Sequence, residues 1–167
     1  MFRTVILLDC FGTVFDMENI PSEDINYYGY VIKKPFWEPL NLPEKWNTIP
    51  AFPDSKEAIH KLRHKGYEVV ALSNAPASLI EELSKYNKIK LDHIIPLEKY
   101  KIYKPNPLAY LTACSELDCK PSDCIMVTAN KTFGDLEAAK TIGMKSILVR
   151  DTEDNDLNNL EKIIAKY

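Results

Sequence analysis

No apolar run in this 167-residue chain approaches the roughly 20 residues of a membrane span. Near the start, an Asp at position 9 interrupts the short apolar stretch where a signal peptide would stay apolar. There is no excess of positive charge: 21 Lys and Arg against 24 Asp and Glu give a net charge of −3. That balance argues against nucleic-acid binding through bulk electrostatics. Internal repeats, low-complexity tracts and CxxC pairs are all missing. What is present is 46% hydrophobic residues, enough for one core, and 27% charged residues to keep the surface solvated. These figures predict a single core domain over residues 1–167 in a soluble, cytoplasmic protein.

The four cysteines are Cys10, Cys114, Cys119 and Cys124. A chain with this much core does not need a disulfide framework, so reduced, buried thiols are expected. The last three are evenly spaced like a metal-binding comb. They fall in a helix, a turn and a strand start, however, so their side chains need not converge. His60 and His64 stand four apart in a helical segment and could share a metal ion. Beside Lys61 and Lys65 the simpler reading is a solvated face.

Strand-length apolar runs alternate with helical patterns. Thr4–Asp9, Glu68–Ser73, Cys124–Thr128 and Lys145–Arg150 read as strands, with a shorter apolar segment at His93–Glu98. A helix is predicted after Pro53, with Asp54 and Glu57 as capping residues, Ala58, Ile59 and Leu62 as its apolar stripe, and Gly66 at its end. Further helices follow in SLIEELSKY, NPLAYLTACSEL, GDLEAAKTIGM and LNNLEKIIAKY. Residues 17–52, rich in proline and aromatics, read as an irregular cap-like insert, with its YYGYVIKKPFW stretch as a loop packed over the sheet edge. The alternation predicts right-handed crossovers and a parallel sheet covered on both faces, a Rossmann-like α/β three-layer sandwich.

In such a sheet the ligand crevice lies beyond the carboxyl ends of the strands. Asp9, Ser73, and Thr128 with Asn130 end three separate strands. One such group alone reads as a cap or turn former, whereas several meeting at one edge read as a site. Asp9 supplies a carboxylate nucleophile for a covalent ester or acyl phosphate. Gly12 lets the backbone turn beside it. Thr13 and Ser73 offer hydroxyls to a substrate oxyanion, and Asn74 adds an amide. Lys104 brings a cation to offset charge developing in the transition state. On its own it would read as a surface lysine before a turn-forming Pro105.

In order, LLDCFGTVFD, ALSNAP, YKPNPLAY and VTANKTFGDLEAAKTIGM resemble the four motifs of the haloacid dehalogenase superfamily, from Val5 to Arg150. The resemblance implies hydrolysis through Asp9. Phosphatases of that superfamily carry a second Asp two residues after the nucleophile, which protonates the leaving alkoxide. Here that position is Phe11. A halide leaving group needs no proton, and general acid help is typically worth about 10²–10⁴-fold. Ala129-Asn130 replaces the Gly-Asp of Mg²⁺-dependent members, leaving Asp135 five residues on. Asp9 and Asp135 could hold Mg²⁺ only weakly.

Both departures resemble the L-2-haloacid dehalogenase branch, which is metal-free. That likeness implies Lys104 and Tyr110 as supporting polar groups, with Asn130 and Asp135 positioning the hydrolytic water. The insert contains no Arg to meet a substrate carboxylate. Lys33 or Lys34 could substitute, without arginine's bidentate fork. The expected function is a hydrolase for a small haloacid or phosphorylated compound, needing no cofactor in the first case and Mg²⁺ in the second. A catalytically weak binding protein is the third reading. The short insert leaves an open site, which suits larger substrates or a lid supplied by a partner protein or a second copy.

Overall fold

The computed structural model describes residues 3–153 and 155–166. Five strands form one parallel sheet: β1 (Val5–Leu8), β2 (Glu68–Ala71), β3 (His93–Ile94), β4 (Cys124–Thr128) and β5 (Lys145–Leu148). Their spatial order is β3-β2-β1-β4-β5, every pair parallel. The chain winds outward from β1 to β3, then returns to lay β4 on the other side of β1. The winding direction therefore reverses at β1, and a crevice opens beyond the carboxyl ends of β1 and β4. All four residues of β1 and all five of β4 are buried, as the uninterrupted apolar runs require of central parallel strands.

Alternation along each strand divides the core in two. Ile6, Leu8, Val69, Ala71, Ile125, Val127 and Ile147 face one side, against α2 (Ser55–His64), α3 (Ala77–Tyr86) and α6 (Leu160–Ile164). Val5, Leu7, Val70, Cys124 and Met126 face the other, against α4 (Pro107–Leu117) and α5 (Asp135–Thr141). The three-layer sandwich is as the alternation predicted. On α2 the stripe Ala58, Ile59 and Leu62 is buried. The expected capping box is not formed: Asp54 sits before α2 but its carboxylate binds Arg150 and the Leu157 N–H instead. Asn106 does cap α4, accepting from the Leu108 N–H, with Pro107 in the first turn.

Two further expectations need correcting. The insert is not a loop throughout, because α1 spans Ser22–Ile32 and a short 3-10 turn spans Glu44–Thr48. α1 buries only Val31, so its sequence carries little periodicity. Trp46 and Ile49 of the insert enter the core beside α3. The closing helix is also shorter than predicted: a 3-10 turn at Leu157–Asn159 leads into five-residue α6. Tyr167, assigned to that helix, lies outside the described residues. None of the described helices is long and apolar enough to cross a membrane.

Candidate active site

The register aligns Leu8 with Ala71 on one side and Val127 on the other. Asp9 and Thr128 therefore emerge side by side, about 4.8 Å apart from strand to strand, and Ser73 follows one residue further along β2 at the same edge. Asp9 hydrogen-bonds through its N–H to the Val127 carbonyl, which extends the ladder to the nucleophile candidate itself. Just beyond, Cys10 accepts three backbone N–H groups, from Thr13, Val14 and Phe15. The chain can curl this tightly because Gly12 has φ +82°, a conformation other residues rarely adopt.

The Asp9 carboxylate is held on both oxygens. Oδ2 accepts from Thr13 Oγ1 at 2.9 Å and from Thr128 Oγ1 at 3.2 Å. Oδ1 lies 3.0 Å from Lys104 Nζ. Lys104 is only 1% exposed, and its ammonium also reaches Asp135 Oδ2 at 3.3 Å. Burial alone would lower the Lys104 pKa, but the charges of Asp9 and Asp135 outweigh it and raise it, so the ammonium stays protonated. The Phe133 ring lies 5.8 Å from Nζ and screens it from one side.

Asp135 opens α5 and is fully buried. Its pKa is raised, first by burial and further by Asp9, against the lowering pull of Lys104 and Tyr110. Tyr110, from the first half of α4, donates a hydrogen bond to Asp135 Oδ1. Burial, and then the Asp135 charge, push the phenol up, so it remains a donor. The neighbouring Cys10 thiol is also raised, first by burial and then by the Asp9 charge. It therefore does not compete as a nucleophile.

Several candidates are present but turned to other partners. Thr13 is fully buried. Its hydroxyl donates to Asp9 and accepts from the Ala129 N–H, so it fixes the Asp9 carboxylate and is not offered to an oxyanion. Asn74 spends both ends of its amide on the backbone of Lys104, accepting from its N–H at 2.7 Å and donating to its carbonyl at 3.1 Å. It positions the lysine and does not reach into the cleft. Tyr110, 0% exposed, likewise serves Asp135. Asn130 Oδ1 accepts from the Thr132 and Phe133 N–H groups and caps its own loop, and Asp135 has no outward oxygen. Ser73, 4% exposed, accepts from the Ala75 N–H through its hydroxyl.

Phe11 packs edge-on against Trp46, with ring centroids 5.2 Å apart, and against Tyr28 at 6.0 Å. Tyr28 and Trp46 stack on each other. Beside Lys104, a cleft of about 340 Å³ is lined by Ile32, Lys33, Pro105, Asn130, Thr132 and Phe133. Lys34 points elsewhere, pairing with Glu38 at 2.6 Å.

The donors do not fit Mg²⁺. The ion takes hard anionic oxygens in near-octahedral array. Here an ammonium lies between the two carboxylates, and Asp135 has both oxygens committed. His60 and His64 are exposed and stack with ring centroids 6.3 Å apart, as expected of a solvated face. All four cysteines are free thiols, but the expectation that the comb need not converge is overturned. Cys114, Cys119 and Cys124 bring their sulfurs within 4.8 Å of one another.

Thr128, read from the sequence as a polar strand end beside Asn130, is fully buried and donates to Asp9. One contributor escaped the sequence reading of the site. Arg150 donates from Nε to the Thr13 carbonyl at 2.9 Å, grips Asp54, and stacks 4.0 Å from Phe52. Nothing local in KSILVR distinguishes that arginine.

A protein in Burkholderia cepacia named (S)-2-haloacid dehalogenase 4A is 31% identical over 110 residues, 65% of this chain and 47% of that one. A glyceraldehyde 3-phosphate phosphatase of Methanothermobacter thermautotrophicus is 26% identical over 123 residues, 71% of this chain and 53% of that one. The chain thus spans about half the length of the curated relatives it matches. The L-2-haloacid dehalogenase of Xanthobacter autotrophicus superposes with a TM-score of 0.79 at 14% identity, covering 99% of each chain, and shares the fold. The family model for haloacid dehalogenase-like hydrolases matches residues 15–149, from the insert through β5 and including Lys104 and Asp135, and the chain belongs to that family.

Proposed function

We propose that this chain is a metal-independent hydrolase that breaks the carbon–halogen bond of 2-haloacids through an ester on Asp9. Phe11 is the observation that carries this reading. Where a phosphatase of this kind would hold an acid, an aromatic ring is locked into the insert by Trp46 and Tyr28. A phenyl ring cannot protonate an alkoxide, and a halide needs no proton to leave.

An Asp9 oxygen attacks C2 of the haloacid, and the electrons of the carbon–halogen bond depart with the halide. Thr13, Thr128 and Lys104 hold the carboxylate so that little reorientation is needed. Water then adds to the ester carbonyl carbon. The 2-hydroxyacid leaves with the original Asp9 oxygen, the proton passes to solvent, and the aspartate is restored. Lys33, lining the same cleft, meets the substrate carboxylate as a point charge. The names carried by the Burkholderia relative and the Xanthobacter enzyme support the substrate class. The insert at 17–52 acts as a minimal cap on a single core domain, with any fuller lid coming from a partner or a second copy.

A Mg²⁺-dependent phosphatase is the second reading, favoured by the Methanothermobacter relative and opposed by the occupied carboxylates. The test is halide release from 2-chloropropionate in EDTA beside p-nitrophenyl phosphate turnover in Mg²⁺. Chloride release that EDTA leaves intact is expected. Phosphate release alone would replace this reading with the second, and neither activity would leave a binding protein.

A further inference from the structure

At the edge of the sheet opposite Asp9, three thiols meet. Cys114 lies near the end of α4, Cys119 in the loop that follows, and Cys124 opens β4. The Cys124 sulfur is 3.9 Å from that of Cys114 and 3.5 Å from that of Cys119. The backbone brings them together unaided. α4 ends in a left-handed turn at Asp118, and the Cys119 N–H then bonds back to the Cys114 carbonyl at 3.0 Å. A 3-10 turn at Pro121–Asp123 delivers Cys124, with the Asp123 carboxylate spent on the Lys120 N–H at 2.9 Å.

Four-coordinate Zn²⁺ holds thiolates at about 2.3 Å, which sets sulfurs about 3.8 Å apart at tetrahedral angles. These two separations fall on either side of that value, and all three sulfurs lie within 4.8 Å of one another. A disulfide would use two of the sulfurs and leave the third stranded, whereas one cation uses all three. Cys114 and Cys124 are buried and Cys119 is half-buried, so the exposed side of the cluster lies at Cys119.

We propose that Cys114, Cys119 and Cys124 form a site for one soft, thiophilic cation of the Zn²⁺ class, which staples the end of α4 to the start of β4. As each sulfur becomes a ligand its proton passes to solvent, so uptake releases protons and strengthens with pH. The site shares no residue with the Asp9 cleft, from which β4 separates it by about 13 Å, four steps of ~3.3 Å from Cys124 to Thr128. Its role is structural, and it stands whatever the cleft hydrolyses.

The test is titration of the reduced full-length chain with Co²⁺. A thiolate-to-metal charge-transfer band should saturate at one equivalent, Zn²⁺ should bleach it, and Zn²⁺ should raise Tm. Cys119→Ser removes the least buried ligand and should weaken binding by more than about 100-fold, since even outer-shell changes cost 10–100-fold. X-ray absorption of the Zn²⁺-loaded wild type counts sulfurs without any variant, and three are expected. A missing band, a band and Tm gain undiminished in Cys119→Ser, or a zinc shell of oxygen and nitrogen alone would overturn the proposal.

Discussion

Replacing Phe11 with Asp separates its packing role from the acid it displaces. Phe11 makes two edge-on aromatic contacts, each worth about 0.5–1.5 kcal/mol beyond area burial. The ring is half-buried, so the loss should fall at or below the low end of the roughly 3–5 kcal/mol for a core Phe→Ala change, or about 3 kcal/mol. At about 2–4 °C per kcal/mol for a chain of this size, Tm should drop by roughly 6–12 °C. The new carboxyl should raise turnover of alkyl phosphates more than that of p-nitrophenyl phosphate, because the alkoxide needs a proton and nitrophenolate barely does. A well-placed acid brings about 10²-fold at the low end. Both rates are measured with Mg²⁺, per folded molecule, alongside thermal melts. An unchanged Tm would refute the clasp between Phe11 and the insert. Equal gains on both substrates would refute the claim that Phe11 selects the chemistry.

Three further outcomes follow from the contacts around Asp9. Asn74→Ala strips two hydrogen bonds from the buried backbone of Lys104, so stability should fall by about 2–5 kcal/mol in urea melts, and kcat should fall more than KM changes. Arg150→Lys breaks the fork onto Asp54 and the bond to the Thr13 carbonyl, which should cost about 1.5–3 kcal/mol and slow turnover. Unchanged melts in either variant would contradict these roles. The folded-state pKa of Lys104 is raised above its ordinary 10.5, so its stabilising contribution is fully present below about pH 10.5 and lost as pH climbs further. The Tm gap between wild type and Lys104→Met should stay constant from neutral pH to about pH 10 and then narrow. A gap that closes by pH 8 would contradict this.

Most of the sheet was legible because buried parallel strands are continuous apolar runs, and Asp9, Ser73 and Asn130 were legible as their polar terminations. What the sequence hid was direction. Asn74 and Tyr110 are polar residues in the right neighbourhood, but only packing reveals that they serve Lys104 and Asp135. α1 was missed because Tyr, Val, Ile and Gly are mediocre helix formers and one residue alone is buried. Pro21 followed by Glu23 and Asp24 was a usable start signal. The thiol cluster was hidden because its convergence depends on the left-handed turn at Asp118, a residue with no strong preference for it.

The covalent step at Asp9 is tested most directly by one turnover of 2-chloropropionate in heavy-oxygen water, with protein in excess. The account predicts that the heavy oxygen enters the Asp9 carboxylate, detected by peptide mass, while the first 2-hydroxyacid released carries none. Heavy oxygen in that first product, with an unlabelled Asp9, would mean that water attacks the substrate directly and would contradict the account.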